Sequence, residues 1–183
     1  MFAHPLGADA ELRPLEPWQA AEFAEFTEAN RGHLEPWLPW TGIVVDEESA
    51  RRFLRNYANK QAEDTGRITG IWSRGELVGG ALFRVFDTSS GCCELGVWLS
   101  ESAQGNGLVT RTCEHLIDWA VRIRGMARVE YRVSAENHRS IAVAKRLGMT
   151  HEGTLRGSLP LRGGRHDMQI WALLAEEWHG GTS

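Results

Sequence analysis

A mixed sheet flanked by helices, of the α/β or α+β class, is the fold this sequence predicts. Three observations carry that reading. Strand-like and helix-like runs alternate along the chain in the order β-α-α-β-β-β-α-β-α-β-β. Consecutive strand-like runs between Ile68 and Leu99 suggest an antiparallel meander. Two later strands, ending at Leu99 and Val133, each run into a short polar loop that opens directly into a helical pattern.

The elements follow in order. Glu11 to Leu15 reads as a short first strand. Pro17 stands where a helix begins, and Trp18 to Ala24 continues it. The segment Leu34-Glu35-Pro36-Trp37-Leu38-Pro39-Trp40 breaks that helix and forms a stiff aromatic loop. Asp46 caps the next helix, whose Ala50, Phe53, Leu54, Tyr57 and Ala58 share one face. Ile68 to Trp72, Glu76 to Phe86 and Cys92 to Leu99 are strands, with a flexible Gly79-Gly80 inside the second. After the turn at Gly105 and Gly107, Val109, Cys113, Leu116, Ile117, Ala120 and Val121 line one helical face. Arg128 to Val133 is a strand. Asn137 caps a helix carrying Ile141, Ala144 and Leu147, closed by Gly148. Met149 to Leu155 and Asp167 to Leu174 are the last strands, with Gly163-Gly164 turning between them. Arg162, Gly163, Gly164, Arg165 and His166 make that turn basic, and Gly180 to Ser183 reads as a frayed tail. No repeat, linker or composition shift divides residues 1–183, so the expectation is one domain.

Bulk properties exclude several function classes. The net charge of −4 argues against a general nucleic-acid or acidic-membrane surface. No apolar stretch approaches a membrane span, and no basic-then-apolar leader opens the chain, so a cytoplasmic location is expected. Cys92, Cys93 and Cys113 have no disulfide spacing, and the His and Cys residues have no metal-ligand spacing. No metal is expected. Cys92 and Cys93, adjacent in a strand, should face opposite sides of the sheet.

The chemistry concentrates in the two strand-to-helix loops. Gly105 and Gly107 precede a helix start, where backbone N–H groups converge and the helix dipole favours an anion. A phosphorylated cofactor is one reading, and a tight connection is the other. No Gly-Lys-Ser/Thr follows, and the third glycine of a dinucleotide fingerprint is missing. The second loop presents Asn137 and Ser140, an amide and a hydroxyl able to fix a polar arm. Neighbouring strands would open both loops at the same end of the sheet, where ligands bind in open α/β folds.

At these residues the sequence resembles the GNAT superfamily of N-acetyltransferases, in its RimJ/RimL branch of ribosomal-protein N-terminal acetyltransferases. The family pattern Gln/Arg-x-x-Gly-x-Gly/Ala is matched by Gln104-Gly105-Asn106-Gly107-Leu108-Val109, with Val109 at the final small position. Glu94 to Leu99, Asn137 to Ser140, and Lys145 to Met149 are similar to that branch as well, and the order of elements agrees from Glu11 to Leu174. The resemblance implies a GNAT fold: a central twisted mixed sheet of about seven strands, about four flanking helices, and a splay between the fourth and fifth strands.

It also implies an acetyl-CoA site. Gln104, Gly105, Asn106, Gly107, Leu108, Val109 and Thr110 would hold the pyrophosphate through backbone N–H groups. The segment Val97, Trp98 and Leu99 would run beside the pantetheine arm, with Val97 and Leu99 pairing to it like an added strand, and Asn137 would hydrogen-bond it. Direct attack by an amine on a thioester needs a proton acceptor, an oxyanion donor and help for the leaving thiolate. Amides near Val97 would serve the oxyanion. Glu94 is the candidate base, with burial expected to raise its pKa; the alternative is a carboxylate facing solvent or a structural partner. Ser140 is the candidate donor to the thiolate, and equally a helix cap or a CoA ligand. Trp37 and Trp40 would wall the acceptor site, or pack in the core.

The sequence departs from the family twice. Ala144 occupies the position where many members carry a catalytic Tyr, and Leu159 occupies that of the late Glu of RimL-type enzymes. The leading expectation is therefore an N-acyltransferase moving acetyl from acetyl-CoA to a primary amine, on a protein N-terminus or a small molecule. Another acyl-CoA such as succinyl-CoA, or a non-catalytic acyl-CoA sensor, is the alternative. A homodimer is left open.

Overall fold

The computed structural model describes residues 3–7, 9–161 and 163–180. The described residues contain one mixed sheet of 8 strands, in the order β1-β2-β3-β4-β5-β6-β8-β7. The strands are β1 (His4–Pro5), β2 (Ala10–Pro14), β3 (Arg67–Ser73), β4 (Glu76–Asp87), β5 (Cys92–Leu99), β6 (Arg128–Ser134), β7 (Thr150–Leu161) and β8 (Gly164–Leu174). The helices are α1 (Ala20–Ala29), α2 (Arg31–Leu34), α3 (Glu47–Ala62), α4 (Leu108–Asp118) and α5 (His138–Arg146). The two-residue β1 and the one-turn α2 are the additions to the expected seven strands and four helices. Both are too short to leave a periodic signal.

Apolar side chains cover both faces of the sheet. On one face, α4 and α5 bury Cys113, Leu116, Ile117, Val143 and Leu147 against Phe83, Cys93, Leu95, Val129 and Tyr131. On the other, α1 and α3 bury Phe23, Phe26, Leu54 and Tyr57 against Ile68, Trp72, Leu82 and Trp98. Strand alternation sends neighbours to opposite faces, so Cys93 is buried while Cys92 is half-buried.

Local chemistry sets most boundaries. The Asp46 side chain accepts from the Ser49 N–H at 2.7 Å and starts α3 as expected. Asn137 Oδ1 accepts from the Ser140 N–H at 3.1 Å and starts α5. Pro17 opens a single 3-10 turn, Pro17–Gln19, and α1 proper begins at Ala20. The first helix stops at Asn30, before the aromatic loop, and a further 3-10 turn covers Pro39–Gly42.

Three expectations need correction. β7 runs on to Leu161 instead of stopping at Leu155, and β8 begins at Gly164. Gly157 and Pro160 look like breakers, but β7 is the sheet's outer strand, where a missing N–H is tolerated, and an irregularity between Leu155 and Leu159 absorbs the rest. Gly79-Gly80 is continuous strand rather than a flexible point. A Cβ on Gly80 would stand 2.4 Å from the Trp98 ring, so the glycine makes room for the indole. Arg162 of the basic turn, and residues 181–183 of the tail, lie outside the described residues.

Candidate active site

The sheet opens where the only parallel pair among the described residues ends. Strand β5 pairs with β6 through Cys92↔Arg128, Cys93↔Val129 and Glu94↔Glu130, and no further. The remainder of β5, Leu95 to Leu99, keeps its antiparallel partners on β4 and is free of β6 on its other side. This is the expected splay between the fourth and fifth long strands. It creates a groove of about 1880 Å³ that runs along the free edge of β5 and reaches both loops.

Glu94 sits at the vertex. Its surroundings are charged rather than apolar, in contrast to the expectation. Arg84 Nε donates to Glu94 Oε1 at 2.6 Å, the other arm of the Arg84 guanidinium binds Oε2, and Arg132 Nε stands 3.5 Å from Oε2. Arg84 occupies the bulge between Phe83 and Val85 of β4, opposite Glu94. A bulge leaves its extra residue out of the ladder and re-aims its side chain. The ion pair in turn holds the Arg84 guanidinium pKa above its ordinary value. The Glu94 side chain is 13% exposed and lines the groove.

At one end lies the glycine turn. Gly105 and Gly107 both take left-handed backbone, φ +83° and +70°, and Gly107 forms the N-cap of α4 with no side-chain cap. The first-turn N–H groups of Leu108, Val109 and Thr110 have no intrahelical carbonyl within reach, so they are available to an anion. Asn106 is turned back on its own loop, its Nδ2 donating to Ala103 O at 3.2 Å. Gln104 bridges the groove mouth: its Nε2 meets His33 Nε2 of α2 at 3.0 Å and its Oε1 accepts from Arg139 Nη1 of α5 at 2.8 Å. Arg111 staples the turn to the residue after β1, donating to Leu6 O at 2.6 Å and to Asn106 O at 2.7 Å. Arg111, Arg139 and Arg146 bring positive charge to this end of the groove.

The second loop meets the same groove from β6. Asn137 and Ser140 line it, and Ser140 Oγ lies 2.5 Å from the hydroxyl of Tyr131. Tyr131 is buried, and burial pushes its phenol well above the ordinary value. Ala144 is fully buried in the core beneath α5. Leu159 does line the groove, as an apolar side chain.

The other end is aromatic. Trp37 and Trp40 both line it, with Phe53 and Tyr57 of α3. The Trp40 ring stands 5.3 Å from Trp98, 5.5 Å from Phe23 and 5.6 Å from Phe53, so it is anchored in the core and faces the groove at once. The core packing is present, and the same ring also lines the groove. Burial pushes the Tyr57 phenol up to about 12, with Arg84 opposing the rise. Arg84, Arg132, Tyr131, Phe53 and Tyr57 are groove residues that sequence reasoning did not single out. Their strands and helices were legible, but only strand register brings them to one place.

The fit to acetyl-CoA rests on three features of this groove: uncapped amides behind Gly107, a strand edge open over Val97 to Leu99, and Asn137 with Ser140 across from it. No group of His, Cys, Asp or Glu able to hold a metal occurs among the described residues. Among them, no helix is long and apolar enough to cross a membrane.

Comparison with known proteins agrees with this geometry. The family model "Acetyltransferase (GNAT) domain" matches residues 10–150. The chain is 28% identical over 181 residues to a putative ribosomal N-acetyltransferase, YdaF, of Bacillus subtilis, covering 98% of this chain and 99% of the relative. It is 25% identical over 147 residues to the ribosomal-protein-serine acetyltransferase of Escherichia coli, covering 80% and 82%. Among solved structures, RimJ of Mycobacterium smegmatis, in complex with a CoA disulfide, has a TM-score of 0.87 at 26% identity, with 98% of this chain and 88% of that one covered. RimL, a ribosomal L7/L12 α-N-protein acetyltransferase in complex with coenzyme A, has a TM-score of 0.91 at 23% identity, covering 96% and 99%, and shares the fold. The chain belongs to the GNAT family of N-acetyltransferases, enzymes whose cosubstrate is acetyl-CoA.

Proposed function

We propose that this protein transfers the acetyl group of acetyl-CoA to a primary amine by direct attack in a ternary complex. The observation that carries the proposal is the parting of β5 and β6 immediately beyond Glu94. It sets a carboxylate, an open strand edge and two strand-to-helix loops along one groove. The first-turn amides of α4 hold the pyrophosphate, and the β5 edge at Val97 and Leu99 aligns the pantetheine arm with help from Asn137. Bound there, acetyl-CoA supplies the activated thioester carbonyl.

Trp37, Trp40 and Phe53 wall the acceptor end and pack against the amine substrate. Glu94, paired with Arg84, accepts through a water the proton that the attacking amine sheds. An α-amino group with an ordinary pKa near 8 is already partly neutral at working pH, so a modest base suffices. Amides near Val97 stabilise the oxyanion, and the Ser140 hydroxyl donates to the thiolate as the C–S bond breaks. The names of the relatives favour a ribosomal protein N-terminus as acceptor.

The test is release of free thiol from acetyl-CoA in the presence of peptides with ribosomal-protein N-termini and a panel of small amines. The expected result is turnover on at least one peptide α-amine. Turnover on small amines alone would move the acceptor away from proteins.

A further inference from the structure

The buried phenol of Tyr131 decides what the Ser140 hydroxyl is free to do. Tyr131 is 2% exposed and packs within the core beneath α4 and α5. A buried hydroxyl that leaves its proton unpaired forfeits a hydrogen bond, so its O–H must find an acceptor. Among the described residues, Ser140 Oγ at 2.5 Å is the only hydrogen-bond partner of that phenol. Burial pushes the phenol pKa well above the ordinary value, so the proton stays on the ring oxygen at any working pH.

Ser140 has other options. It is half-buried and lines the groove, and its backbone N–H is already taken by Asn137 Oδ1 at 3.1 Å. Either hydroxyl can donate across this contact; only donation by Tyr131 gives its buried proton an acceptor, and that direction leaves the Ser140 proton free for the groove.

We propose that Tyr131 is a positioning residue: by donating to Ser140 Oγ it turns the Ser140 proton to the site of the leaving thiolate and strengthens it as a donor. This rests on the acetyl-transfer reading above. The step balances without a further reagent. The neutral amine forms the C–N bond, the nitrogen proton it sheds passes through water to Glu94 and on to solvent, and the C–S bond breaks with its electron pair going to the sulfur under a hydrogen bond from Ser140. The thiolate afterwards takes up a proton from solvent.

The test is a double-mutant cycle on the full chain with Tyr131→Phe, Ser140→Ala and the double variant, with two readouts. In turnover, Tyr131→Phe should lower kcat by about 3- to 10-fold, the scale of one lost hydrogen bond, with CoA affinity within about twofold of wild type. In the Ser140→Ala background the same substitution should have no further effect. A purely structural role for Tyr131 would carry through to the double variant. The second readout needs no catalysis: the ultraviolet titration of the thiol of bound CoA. Its midpoint should rise in Tyr131→Phe and in Ser140→Ala alike, and no further in the double variant.

If Tyr131→Phe fails to fold, 3-fluorotyrosine incorporated at the chain's 2 tyrosines keeps the ring and strengthens the donor. The bound-thiol midpoint should then fall, and should stay unmoved in the Ser140→Ala background. Additive effects on kcat, or a midpoint indifferent to Tyr131, would overturn the proposal. A wild-type protein that turns over no amine would defeat the transfer reading instead, while the thiol titration would still decide the link between Tyr131 and Ser140.

Discussion

Gly107→Glu separates strain from charge at the glycine turn proposed to hold the pyrophosphate, and both magnitudes follow from local geometry. Gly107 has φ +70°, where an L residue costs about 1–2 kcal/mol. For a chain of this size that is about 2–8 °C in Tm. A Cβ would stand 2.7 Å from Arg111 Nη1. The guanidinium is a rigid plane held by Nε on Leu6 O and Nη2 on Asn106 O, so making room for a Cβ also loosens that staple. Gly107→Ala therefore measures strain and the loosened staple without added charge, with CoA affinity falling by a few-fold. Glutamate adds a negative charge beside the uncapped amides. Like charges about 5 Å apart repel by about 3 kcal/mol at an effective dielectric of 20, equivalent to more than about 100-fold in Kd. Calorimetric titration with CoA, paired with thermal melts of both variants, gives the two contributions. A glutamate variant that binds CoA within a few-fold of the alanine variant would refute the phosphate-turn assignment.

The remaining predictions are these. Glu94→Gln keeps the size of the side chain but removes the proton acceptor, so turnover should fall by about 10²–10⁴-fold with CoA affinity little changed; activity within a few-fold of wild type would move the role to water or another residue. Trp40→Ala should raise the KM for the amine by about tenfold, the scale of one lost buried aromatic contact, while CoA Kd holds; unchanged amine kinetics would confine Trp40 to packing. The hydrogen bond from Arg124 holds the Asp64 carboxyl below its ordinary pKa. Its contribution is therefore present above the unfolded value near 4 and is lost as pH falls through the lower folded value. Thermal melts of Arg124→Gln should differ most from wild type near neutral pH and converge below about pH 4, and a pH-independent difference would contradict the ion pair.

What the sequence made legible was local. The Asp46 and Asn137 caps, the strands between Arg67 and Leu99, and the left-handed glycines before α4 each rest on chemistry within a few residues. So does the match of Gln104 to Val109 to the family turn. The missing parts depend on register between distant strands. Glu94 is visible as a carboxylate in an apolar run, but its partner Arg84 is chosen by a bulge in the neighbouring strand. Ala144 draws attention as an absent phenol. The structure instead brings the phenol of Tyr131 to Ser140 from β6, a pairing that no sequence spacing announces. β7 extends past Leu155 through Gly157 and Pro160, residues that break most strands, and its position at the sheet edge permits them. Trp40 sits at the rim of an aromatic cluster, packed on the core and facing the groove, a placement that sequence spacing does not distinguish from plain burial.

Stoichiometry of transfer tests the central claim most directly. The purified protein is incubated with acetyl-CoA and a ribosomal N-terminal peptide, and thiol release and acetylated peptide are followed together. The account predicts one thiol per acetylated α-amine, no thiol release above background without the peptide, and loss of both signals in Glu94→Gln. Tight CoA binding with no thiol released by any amine would contradict it and leave the groove as a sensor of acyl-CoA.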